Sequence, residues 1–140
     1  YIGSNYNPRY KPSPTQKKMV DEGFLGRKSG QGYYDYSNGA AIPKPAADEE
    51  SGKKIFKRVL AMLINEAADT LNLAIASRDD IDTAMTIGVN YPKGLLKWAD
   101  EIGIESVCTR LIKFQSHSDD RYKPCSLLIK MAKENYNFYA

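Results

Sequence analysis

Between Leu25 and Tyr36 the chain reads LGRKSGQGYYDY, which sets Gly26, Gly30 and Gly32 around Arg27, Lys28 and Ser29. Glycines let the backbone aim its N–H groups at an anion, and two cations and a hydroxyl add charge and a further donor. These are the parts of a phosphate-holding loop. The spacing does not complete one, because the phosphate-cradling pattern G-x-x-x-x-G-K-[ST] is not supplied by Gly23 to Ser29. Two readings stay open on these residues alone. Arg27 and Lys28 contact a phosphate, or the glycines turn the backbone so that Tyr33, Tyr34 and Tyr36 can pack.

The other reactive residue types are sparse. His117 is the one histidine and sits in the polar stretch QSHSDD, with no carboxylate at helical spacing upstream to make it a base. Asp79, Asp80 and Asp82 could gather a cation, but they lack the loop and terminal Glu of a calcium hand. Placed near the start of a short helix, they complement its positive end instead. Trp98, beside Leu95 and Leu96, is either a ligand wall or core. Cys108 and Cys125 have no metal-ligand spacing and read as a reduced thiol pair, which suits a cytoplasmic protein. No metal site is expected.

The elements that must position these residues are helices. Ser13 followed by Pro14 is a helix start, and Gly23 is its stop. Residues 37–52, rich in Pro, Ala and acids, read as a linker. From about Lys53 to Ala76 the pattern predicts one long helix. Phe56, Val59, Leu60, Leu63, Ala67, Leu71 and Ala74 form one apolar stripe, and Leu60, Ile64, Ala68, Leu71 and Ile75 an overlapping one. A face that broad packs on more than one side, so this is the central helix. A short helix after Ser77, ended by Gly88, precedes a turn at Tyr91-Pro92-Lys93-Gly94. Then come a helix with Leu95, Leu96 and Trp98 up to Gly103, one with Val107, Leu111 and Phe114, and a last one from near Pro124. Nothing alternates as a strand would, so the class is all-α, a bundle of about five to six helices.

Composition bounds the function. A chain of 140 residues with 42% hydrophobic and 26% charged residues is a soluble globular domain. A net charge of +3 is too small to argue for nucleic acid, although residues 1–45 hold seven Lys/Arg against three acids. No apolar run is long enough for a membrane span. The opening YIGSNYNPRY carries neither a methionine nor a leader and suggests a piece of something longer.

The chain also repeats itself. RYKPSPTQKKMV at Arg9–Val20 returns as RYKPCSLLIKMA at Arg121–Ala132, with six residues identical in register at an offset of 112. That spacing is too long for a solenoid and fits a duplicated helical domain. Residues 1–40 then read as the tail of a first copy, 41–52 as a linker and 53–140 as a second copy, from which the glycine-rich segment is missing.

Two stretches carry a family likeness. KPSPTQKKMVDEGFLGRKSGQGYYDY resembles the closing segment of the C-terminal helical domain of 3-hydroxyacyl-CoA dehydrogenases. NEAADTLNLAIASRDDIDTAMTIGVNYPKGLLKWADEIG, residues 65–103, resembles the middle of that domain, with its Glu-Ala helix, Ile-Asp-x-Ala-Met, Gly-x-x-x-Pro-x-Gly turn and Asp-x-x-Gly helix end. The resemblance implies a parent that oxidises a (3S)-3-hydroxyacyl-CoA to the 3-oxoacyl-CoA with NAD, in fatty acid metabolism by β-oxidation. It also implies a helical region that closes over acyl-CoA and forms a homodimer or a pseudo-dimer of copies.

The His–Glu pair and the G-x-G-x-x-G nucleotide signature of that family are absent from these residues, so no cofactor site is expected in them. Aligned on Glu66-Ala67, the family's catalytic Asn falls at Lys57, which has donors and no acceptor. The second Pro of the turn is Leu95 here. The resemblance thus implies a non-catalytic copy. The alternative reading is a free-standing helical protein-interaction module.

Overall fold

A computed structural model describes residues 11–41, 43–46, 48–116 and 120–139. They fall into two compact units, Tyr1–Asp48 and Glu49–Ala140. His117 and the start of the first repeat, Arg9 and Tyr10, lie outside the described residues.

In the first unit, α1 spans Pro14–Asp21. Its start is a reciprocal capping box: the Gln16 N–H donates to Ser13 Oγ at 3.1 Å, and the Ser13 N–H donates to Gln16 Oε1 at 3.3 Å. Its end is a Schellman turn, with Phe24 N–H on the Met19 carbonyl and Gly23 N–H on that of Val20. Both boundaries follow the residues that announce them. Arg27–Ser29 then forms a single 3-10 turn. None of the described residues of this unit is buried.

The second unit is a helix bundle. α2 runs Glu49–Asn72, α3 Arg78–Thr83, α4 Leu95–Ile102, α5 Ile104–Gln115 and α6 Ser126–Glu134. A single π-helical stretch, Ala84–Gly88, extends α3. Among the described residues there is no strand, only isolated bridges around Gln31.

The core lies where α2, α4, α5 and α6 meet, built from Leu60, Ile64 and Ala68 with Leu96, Val107, Leu111 and Leu128. The second of the two expected stripes on α2 is therefore the core-facing one. The first leaves its leading end outside, with Phe56 52% and Val59 47% exposed.

Both ends of α2 depart from the pattern. The helix begins at Glu49, inside the stretch expected to be linker, because Glu49 and Glu50 favour the positive end and pair with Lys53 and Lys54 one turn on. It ends at Asn72 rather than Ala76. Ala74 takes a left-handed φ of 52°, and Ile75 N–H closes back on the Thr70 carbonyl. Ile75, 70% exposed, thus leaves the stripe.

Candidate functional site

The family-like motifs converge on backbone, not on a reaction centre. Asp82, which the sequence placed at the start of its own helix, is buried and serves the next one. Its carboxylate accepts the N–H groups of Leu96 at 2.8 Å and Lys97 at 3.0 Å, capping α4. Gly94, the last residue of the Gly-x-x-x-Pro-x-Gly turn, occupies the N-cap position of α4. A Cβ there would stand 2.1 Å from Asp82 Cγ, so only glycine leaves room for the carboxylate. Asp79 and Asp80 do sit in the first turn of α3, where Ser77 Oγ accepts from Asp80 N–H.

Asp100, of the Asp-x-x-Gly helix end, receives the N–H groups of Phe138 and Tyr139, each at 2.8 Å. The Tyr139 hydroxyl donates to Asp82 Oδ2 at 3.0 Å, and burial together with this bond raises its pKa well above the usual phenol value. Arg78 completes the clamp, its guanidinium 4.1 Å from the Tyr139 ring centroid and Nη1 donating to the Phe138 carbonyl at 2.7 Å. Asn65, before the Glu-Ala pair, is 1% exposed. It accepts from Cys125 N–H at 2.8 Å and donates to the Lys123 carbonyl at 3.1 Å. It fixes the segment leading into α6.

Asn65, Asp100 and the true partner of Asp82 were not legible as sites. The available signals were an amide inside an apolar stripe and a glycine twelve residues beyond an acid.

Lys57 lies exposed on α2, in the part of the helix that precedes its first buried residue, Leu60. Its neighbour Arg58 donates through Nε to the Tyr122 hydroxyl at 2.5 Å. Trp98 is half-buried and walls an open apolar groove of about 270 Å³ with Phe56, Val59, Leu63, Tyr91 and Pro92. Its ring lies 5.7 Å from that of Phe56. Cys108 and Cys125 are both buried and form no disulfide, and Cys108 donates to the Leu128 carbonyl. No group of three metal-ligating side chains occurs among the described residues.

In the first unit, the glycine-rich loop closes on itself. Gly26 N–H goes to the Gln31 carbonyl, Gly32 N–H to that of Tyr34 and Tyr36 N–H to that of Gly30. Ser29 Oγ accepts from Leu25 N–H and lies 2.8 Å from the Gln31 carbonyl oxygen. Arg27 stands 5.1 Å over the Tyr36 ring, and Lys28 is exposed. A Cβ at Gly32 would meet Gly26 Cα at 2.8 Å, so close backbone approach explains the pair of glycines. The expected packing of the tyrosines is partial: Tyr34 and Tyr36 meet edge to face at 6.3 Å, while Tyr33 and Tyr34 stay 67% and 50% exposed. The unit offers them no core.

Residues 2–36 and 55–138 match the family model described as 3-hydroxyacyl-CoA dehydrogenase, C-terminal domain. The chain is 49% identical over 76 residues to a 3-hydroxyadipyl-CoA dehydrogenase of Escherichia coli, covering 54% of this chain and 16% of that protein. It is 29% identical over 148 residues to the fatty acid oxidation complex subunit alpha of Shewanella oneidensis, covering 94% of this chain and 21% of that one.

Among solved structures, it superposes on a 3-hydroxybutyryl-CoA dehydrogenase from Escherichia coli with a TM-score of 0.71 and 26% identity, over 91% of this chain and 45% of that one. A (S)-3-hydroxybutyryl-CoA dehydrogenase of Ralstonia eutropha gives a TM-score of 0.56 and 33% identity, over 58% and 29%. The chain spans about a fifth of the length of the curated relatives it matches. It belongs to the 3-hydroxyacyl-CoA dehydrogenase family, matching that family's all-α C-terminal domain.

Proposed function

We propose that these residues are the substrate-closing and pairing region of an NAD-dependent (3S)-3-hydroxyacyl-CoA dehydrogenase, and that they catalyse nothing themselves. The observation that carries this is Lys57. At the position of the family's catalytic asparagine stands an exposed cation with no acceptor, ahead of the first buried residue of α2. A hydroxyl proton needs a base, and the residues described offer no His–carboxylate pair.

Nor do they fit NAD. The dinucleotide loop follows a strand and opens a helix, and neither its glycine pattern nor a strand occurs among the described residues. The cofactor belongs to another part of the parent, as does the acyl-CoA chemistry.

Two-copy organisation follows from the repeat. Residues 1–40 are the end of one helical copy, 41–52 a connector and 53–140 a second copy retained for packing. Exposed apolar residues at the start of α2, namely Phe56 and Val59, are the surface through which the second copy pairs with a like domain. Arg27 and Lys28 remain a contact for a CoA phosphate. It would work through side-chain charge, since the N–H groups of Gly26, Ser29, Gly30 and Gly32 bond within the loop.

No helix among the described residues is long and apolar enough to cross a membrane. We place the parent in the cytoplasm because Cys108 and Cys125 form no disulfide. Reading the coding sequence upstream of Tyr1 tests the assignment. A dinucleotide-binding domain followed by the first part of a helical copy is expected. A start codon just before Tyr1 would instead establish a free-standing helical interaction module.

A further inference from the structure

The second unit carries a strongly cationic groove beside the start of α2. Lys54, Lys57 and Arg58 of α2 face Arg110 and Lys113 of α5 around a hollow of about 390 Å³ with Phe114 in its wall. Among the described residues no acidic side chain lines it. Lys54 is held by Glu50 at 2.7 Å, whereas Lys57 and Arg110 have no ion-pair partner among the described residues.

Arg58 is fixed in place. Its Nε–H is on Tyr122, and its guanidinium carbon lies 4.8 Å from the Tyr122 ring centroid and 5.6 Å from that of Phe114. The terminal nitrogens keep donors with no protein acceptor among the described residues.

Like charges gathered on one wall repel, and the arrangement is relieved by an anion of matching charge. A single carboxylate would neutralise one of these cations and fill little of the hollow. Two guanidinium groups flanked by lysines suit phosphoryl oxygens, which accept forked, charge-assisted bonds. The volume falls in the range of small-ligand sites, well above one phosphate. We propose that this groove binds the diphosphate of a nucleotide-type ligand, with Lys57, Arg58 and Arg110 as its contacts.

The ADP end of a CoA thioester is the member of that class the parent would meet. That choice alone rests on the dehydrogenase reading; the diphosphate site does not.

Calorimetric titration of the 140-residue chain with inorganic pyrophosphate, ADP, CoA and phosphate-free pantetheine tests the site. Saturable single-site binding is expected for the first three and none for pantetheine. Lys57→Gln combined with Arg110→Gln weakens it by about tenfold or more, while Lys53→Gln, an exposed cation outside the groove, changes it less than about twofold. Circular dichroism of each variant shows that the bundle is intact.

No saturable binding, or an equal loss in Lys53→Gln, overturns the proposal. An acidic peptide that outcompetes ADP also overturns it, in favour of a protein surface. Pyrophosphate and ADP binding without CoA binding keeps the site and refutes only its link to the parent's substrate.

Discussion

Asp82 and Gly94 are complementary in space: the carboxylate of one occupies the volume that any side chain on the other would need. Because that carboxylate also holds Leu96 and Lys97 N–H, a methyl group at residue 94 must push it off the helix end it caps. Gly94→Ala should destabilise the chain by about 2–4 kcal/mol, read from urea unfolding. In an Asp82→Gly background, which removes the Cβ as well as the carboxylate, the same change should cost much less, since the clash is gone and the cap already lost. Additive effects would show that the two residues act independently.

Asn65 should behave as a buried pin. Asn65→Ala leaves the Cys125 N–H and the Lys123 carbonyl without their partner, a loss of about 2–3 kcal/mol by the same measurement. A change within about 0.5 kcal/mol, as for an ordinary surface substitution, would contradict this role.

Alkaline pH should loosen the second unit. Burial, helped by the neighbouring Cys125, pushes the Cys108 thiol from its ordinary 9.0 up to about 11, and Tyr139 is shifted upward as well. A folded-state pKa above the unfolded one means that the neutral group stabilises the fold fully below the unfolded value. That stability is lost as pH rises through the folded value. Stability should therefore hold up to about pH 9 and fall toward pH 11, and Cys108→Ala should flatten the fall. A flat profile in the wild-type chain would refute it.

Pairing through the exposed start of α2 predicts self-association. Light scattering at rising concentration should show a dimer, and Phe56→Glu should shift it toward monomer while circular dichroism shows the helices intact. A strictly monomeric wild-type chain would count against this surface.

Local chemistry made much of this fold readable. Ser13-Pro14 and Gly23 bound α1 because caps act within one turn, and the repeating apolar stripe of α2 reports its own helix. What stayed hidden depends on residues distant in sequence. Asp82 looked like a charge for its own helix because the acceptor need of Leu96 and Lys97 exists only once α3 and α4 are packed. The glycine-rich loop looked like an anion cradle because its glycine count is visible, while the carbonyls that consume its N–H groups are set by the turn itself. The early start of α2 escaped notice because prolines and acids resemble a linker until Glu49 and Glu50 find Lys53 and Lys54.

The most direct test follows NADH formation from a 3-hydroxyacyl-CoA and NAD, with the full-length parent and the purified 140-residue chain assayed side by side. The parent should turn over and the chain alone should give no signal above the blank, because the proposal gives the described residues neither a base nor an NAD site. Turnover by the isolated chain, or an inert parent, would contradict the assignment.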